Sequence, residues 1–128
     1  MAFALSAVTL VVPDYDAAIA FYAEGLGFEV RADLPQGPGK RWVLVAPPGG
    51  STALLLARAA TEAQRSAIGN QTGGRVAFFL TTDDFARDAA RLSAAGAMFE
   101  EAPRSESYGI VAVWRDPFGN RWDLIQPV

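Results

Sequence analysis

One order of elements runs twice along this chain, and that repetition limits its possible folds more than any other feature. Residues 3–12 are rich in Val, Leu and Thr, a pattern expected of a strand buried on both faces. DYDAAIAFYAEGLGF follows, with Asp14 or Asp16 placed to cap a helix, Gly25 to stop it, and Tyr15, Ile19 and Tyr22 at helical spacing. Residues 28–33 read as a second strand and LPQGPGK as a loop. Residues 41–46 and 52–57 form a hairpin around PPGG. Next comes TEAQRSAIGNQTGG, a glycine-rich connector in which Thr61 and Gln64 have the capping-box spacing of a short helix ending near Ile68.

The order then returns. VAFFLTT reads as a strand, DDFARDAARLSAAG as a capped helix and AMFEE as a short strand; GIVAVWRD and RWDLIQPV form a hairpin around PFGN. Shifting the chain by 69 residues lays Asp14 on Asp83, Ala17 on Ala86, Ala20 on Ala89 and Gly27 on Gly96. The expected architecture is α+β: two tandem βαβββ modules, at about 3–58 and 74–127, joined by a connector at 59–73 in a single domain of residues 1–128. Each module has a helix on one sheet face, so two such sheets are expected to curve as one mixed sheet around a shared cavity. Their open edge strands make a homodimer the expected assembly.

Composition removes several chemistries. The 128 residues include no Cys and no His, so thiolate nucleophiles, disulfides, imidazole bases and Ser-His-Asp triads are excluded. Eleven basic against fourteen acidic residues, with no basic cluster, give no footprint for nucleic acid or an anionic membrane. The apolar opening MAFALSAVTLVV ends at Pro13-Asp14, lacks a basic leader and is too short to span a bilayer. A cytoplasmic location is the expectation.

VTLVVPDYDAAIAFYAEGLGFEV in the first module and YGIVAVWRDPFGNRWDLIQ in the second resemble the glyoxalase/bleomycin-resistance/dioxygenase group, the vicinal oxygen chelate superfamily. The resemblance spans roughly residues 5–127 and implies that group's fold. It also implies four metal-ligand positions, which here hold Ala7, Leu55, Arg75 (with Ala77 or Thr81 in a slipped register) and Asp123. Only Asp123 is a ligand type, and one carboxylate does not hold a divalent ion. No metal or other cofactor is expected.

The candidate ligand-binding residues are Arg75, Asp123, Trp42, Phe79, Arg104, Tyr108 and Trp122. Arg75 suits a carboxylate, phosphate or enolate, or else pairs with Asp123 as a structural ion pair. Asp123 serves as a base only if burial raises its pKa. Trp42, Phe79, Trp114 and Trp122 line a cavity or pack the core. Arg104 and Tyr108 fall in APRSESYG, read as a loop over the pocket. Asp116 is a turn residue, and Lys40, the only lysine, reads as a solvated surface group. The expected function is binding of a small, partly apolar organic molecule, as in drug sequestration. An acidic chain with aromatic-lined clefts suits a cationic, planar ligand. The alternative is a lyase, isomerase or dioxygenase of the same group.

Overall fold

A computed structural model describes residues 2–128, whose contacts divide them into two units, one ending at Ala67 and the other running from Ile68 to Val128. The boundary falls inside the glycine-rich connector.

In the first unit, β1 (Ala7–Val12) pairs in parallel with β4 (Ala53–Arg58). β4 is antiparallel to β3 (Arg41–Ala46), and β3 to β2 (Glu29–Pro35), giving the order β1-β4-β3-β2. β1 is therefore an edge strand, and it starts later than its composition suggests: Phe3 and Leu5 stay exposed ahead of it. Only its Leu10 and Val12 face is fully buried, so the expectation of burial on both faces fails. Side chains alternate across a strand, and the pairing sets Leu10, Val12, Val43, Val45, Leu54 and Leu56 on one face, all 8% exposed or less. Each contributes about 1.5–3 kcal/mol of burial. Ala7, Thr9, Trp42, Leu44, Leu55 and Ala57 share the opposite face.

The first helix, α1 (Tyr15–Ile19), starts where the Asp14 carboxylate accepts from the Ala17 amide at 2.8 Å. It buries Tyr15 and Ala18, then widens into a π-helical turn over Ala20–Gly25 that buries Phe21 and Tyr22. Tyr22 lies edge-on to Phe21 at 4.9 Å and against Phe28 at 5.7 Å. The helical segment ends at Gly25, as the sequence suggests. The chain reverses at Gly27, which has a positive φ of 80°. A short α2 (Glu62–Ala67) follows β4, with Thr61 Oγ1 accepting from the Gln64 amide at 3.1 Å. The Gln64 side chain accepts from the Ala60 amide, one residue earlier than a standard capping box.

In the second unit, the order β5-β9-β8-β6 joins β5 (Phe78–Thr81), β9 (Arg121–Pro127), β8 (Gly109–Arg115) and β6 (Met98–Phe99). β5 and β9 are parallel, and β8 is antiparallel to β9. The segment read as a loop contains another strand, β7 (Arg104–Glu106), paired with β8. Its residues are polar and two of the three are exposed, so it carries no hydrophobic alternation to betray it. Between α3 (Phe85–Ala95) and the sheet, Trp114 stacks on Trp122 at 5.1 Å and Phe78 packs on Trp122 at 4.6 Å.

The helices repeat with a one-residue offset. Asp84 caps α3 by accepting from the Arg87 amide, so the structural counterpart of Asp14 is Asp84 and not Asp83. Tyr15 and Phe85 then take equivalent buried positions, as do Tyr22 and Leu92. Yet Gly27 and Gly96, both of positive φ, remain 69 apart. The first helix holds one more residue between cap and glycine than the second, and the π turn absorbs it.

Candidate functional site

In the first unit a cleft of about 530 Å³ opens where the β2–β3 hairpin meets the ends of β4 and α1. Trp42, Leu55 and Ala57 supply apolar surface, while Lys40, Arg41 and Arg58 supply charge. Tyr15 is fixed beside it, its hydroxyl accepting from the Arg41 amide at 3.1 Å and the Arg41 guanidinium lying 5.1 Å over its ring. Two carboxylates hold that guanidinium: Asp33 at 3.1 and 2.8 Å, and Asp16 at 2.9 Å. These hydrogen bonds push the Arg41 pKa up and the Asp33 carboxyl below its usual range, so the pair stays ionised at neutral pH.

Of the sequence candidates, Trp42 alone lines this cleft, 37% exposed. Lys40 and Arg58 sit on it too, although neither emerged from the sequence as a binding residue. Their signal was the hairpin itself: in an antiparallel pair the residues opening one strand lie beside those closing the next.

The other candidates belong to the second unit. On the sheet face opposite α3, Asp123 is the cross-strand neighbour of Phe79, which is 62% exposed, and of Val113. Asp123 Oδ1 is buried without a hydrogen-bond partner, and burial raises its pKa against the pull of Arg104 and Arg121. Arg104 lies on β7, and Tyr108 in the exposed turn between β7 and β8, rather than on a closing loop. Glu101 at 2.7 and 3.2 Å and Glu106 at 2.8 Å hold the Arg104 guanidinium. Arg75 is exposed in a bend ahead of β5, and among the described residues no ion pair joins it to Asp123, so that pairing is not formed. Trp122 is 2% exposed and donates to Asp116 at 3.3 Å, a packing position.

Asp116 anchors the DPFGN turn as expected. It is 4% exposed and accepts from the Phe118 amide and from the Asn120 amide and side chain at 2.8–3.0 Å.

This architecture, with βα followed by antiparallel-linked strands in each unit, three in the first and four in the second, has clear relatives. A model of the Glyoxalase/Bleomycin resistance protein/Dioxygenase superfamily matches residues 4–124. The chain belongs to this superfamily. An uncharacterised protein of Shewanella frigidimarina is 50% identical over 121 residues, covering 93% of this chain and 90% of that one. Among solved structures, UcmS2 is similar at 34% identity, with 98% of each chain covered and a TM-score of 0.82. TnmS3, an antibiotic binding protein from Streptomyces sp. CB03234, is similar at 33% identity over 100% of this chain and 99% of its own, with a TM-score of 0.79.

The superfamily's metal chemistry does not fit the residues present. Ala7 and Leu55 share a sheet face in the first unit but offer only hydrocarbon, and Arg75 brings a positive charge. Among the described residues no group of three or more Asp and Glu side chains converges in a way that suits an ion.

Proposed function

We propose that this superfamily member binds a small, partly apolar organic molecule in the cleft of its first unit, without a metal, and sequesters it. The observation that carries this reading is the cleft itself, whose volume of about 530 Å³ lies within the usual range for small-molecule sites. Trp42, Leu55 and Ala57 suit a flat apolar body, and the fixed Arg41–Tyr15 pair gives the cleft a rigid wall. The antibiotic-binding description of TnmS3 supports the same class of ligand. The protein acts in this reading as a cytoplasmic homodimer, for which β2, at one edge of the first sheet, is a candidate pairing edge. Among the described residues no helix is long and apolar enough to cross a membrane.

Thermal-shift and calorimetric screening with aromatic, glycopeptide and quaternary-amine compounds tests this. At least one class should raise the melting temperature with saturable binding; uniform absence of binding contradicts sequestration.

Asp123 favours a second reading, a lyase, isomerase or dioxygenase, because a desolvated carboxyl on a sheet face beside an exposed aromatic ring suits proton transfer. Turnover of methylglyoxal–glutathione adducts or catechols, accompanied by stoichiometric metal in elemental analysis, would replace the first reading with the second.

A further inference from the structure

We propose that the first-unit cleft selects organic anions: a carboxylate or phosphate monoester held between Lys40 and Arg58, on a flat apolar body lying against Trp42. The proposal rests on the reading of this cleft as the binding site and adds the charge of what it takes.

The chain carries a net charge of −3, which taken alone favours a cationic ligand. The cleft has the opposite sign. Lys40, Arg41 and Arg58 line it, and no acidic side chain does. Arg41 is neutralised by Asp33 and Asp16, whereas among the described residues neither Lys40 nor Arg58 has a side-chain ion-pair partner. Asp14 lines a smaller neighbouring cleft that shares Lys40 and Arg58, and its carboxylate accepts from the Ala17 amide at the α1 cap.

Backbone geometry brings the two unpaired cations to one place. A Cβ on Gly39 would lie 3.3 Å from Arg58 Nη1, so the bare glycine lets the guanidinium rest against the loop that also carries Lys40. Gly39 has a positive φ of 69°, a conformation that side-chain-bearing residues rarely adopt. Two like charges facing a shared apolar cleft repel one another and any cationic ligand. An anion relieves that repulsion and gains charge-assisted hydrogen bonds, and the guanidinium offers a two-pronged donor suited to carboxylate or phosphate oxygens.

The test is calorimetry on the full chain with one aromatic body in four charge states: 2-naphthoate, 2-naphthyl phosphate, 2-naphthylmethanol and 2-naphthylmethylamine. At least one anion should bind about tenfold or more tighter than the alcohol, with the amine weakest. Whichever anion binds tighter assigns the natural ligand to carboxylic acids or to phosphate esters. The advantage should shrink with added salt and vanish in the Lys40→Gln/Arg58→Gln double variant. Both side chains are exposed and unpaired, so the wild-type melting temperature should be kept; if the double variant fails to fold, each single variant should still lose part of the advantage. An alcohol or amine binding as tightly as the anions, or an anion advantage surviving the substitutions, overturns anion selection while leaving the binding site in place. No binding by any of the four overturns both.

Discussion

Asp123 is a carboxylate whose environment works against its charge. Desolvation raises its folded-state pKa above the ordinary value of 3.8, with the Arg104 and Arg121 attractions too weak to reverse it. A raised carboxyl pKa means that the folded state holds the proton more tightly than the unfolded chain. The group therefore has no effect on stability when protonated in both states, and destabilises the fold as pH climbs through the folded value. Asp123→Asn should accordingly melt at a higher temperature than wild type at pH 7, with the gap closing below about pH 4; an equal or lower melting temperature at pH 7 contradicts this. Asp116 is a buried carboxylate whose oxygens accept from four donors. Asp116→Ala strands those donors and should cost about 2–4 kcal/mol in urea denaturation. Trp42→Ala should weaken ligand binding about tenfold or more in calorimetry while barely changing stability, because the side chain is already 37% exposed. Such residues were unevenly legible. The role of Asp116 followed from turn chemistry, whereas Trp42 was open between a cavity wall and core packing, and the structure puts it on a cleft within the first unit. Lys40 and Arg58 stayed hidden because their juxtaposition depends on how two loop-flanking residues meet in space.

Helix caps and strand edges show where local pattern suffices and where it fails. Asp14 and Asp84 each accept a hydrogen bond from an amide three residues on, and replacing either with Ala should cost about 1 kcal/mol in thermal denaturation. A loss near zero at both positions removes the capping account of where these helices begin. The helices were readable because capping and apolar spacing act over a few residues, and the hairpins because turn residues punctuate them. Two features escaped. The π turn at Ala20–Gly25 has no composition signal; it is visible only as a mismatch between a cap spacing of 70 and a glycine spacing of 69. Strand β7 is polar throughout and is held by pairing with β8 instead of by burial. Its Arg104 is thereby fixed between Glu101 and Glu106, removing a side chain that would otherwise be free to meet a ligand.

Across the whole molecule, the repeat produces two open mixed sheets, and the side chains on the two differ in chemistry. The second unit sets the desolvated Asp123 carboxyl beside the exposed ring of Phe79. The first presents a cleft with a tryptophan, an apolar wall and two cations that have no ion-pair partner among the described residues. In the proposed reading the cleft holds its ligand without a metal, so binding should persist in the presence of EDTA. The location of that binding separates the first-unit cleft from the Asp123 face. Titrating 2-naphthoate into 15N-labelled protein and following backbone and indole resonances measures it directly. Saturable shifts should concentrate at Gly39, Lys40, Arg41, the Trp42 indole, Ala57 and Arg58. Shifts centred on Phe79 and Asp123 with those signals unmoved, or no shifts at all, would contradict it.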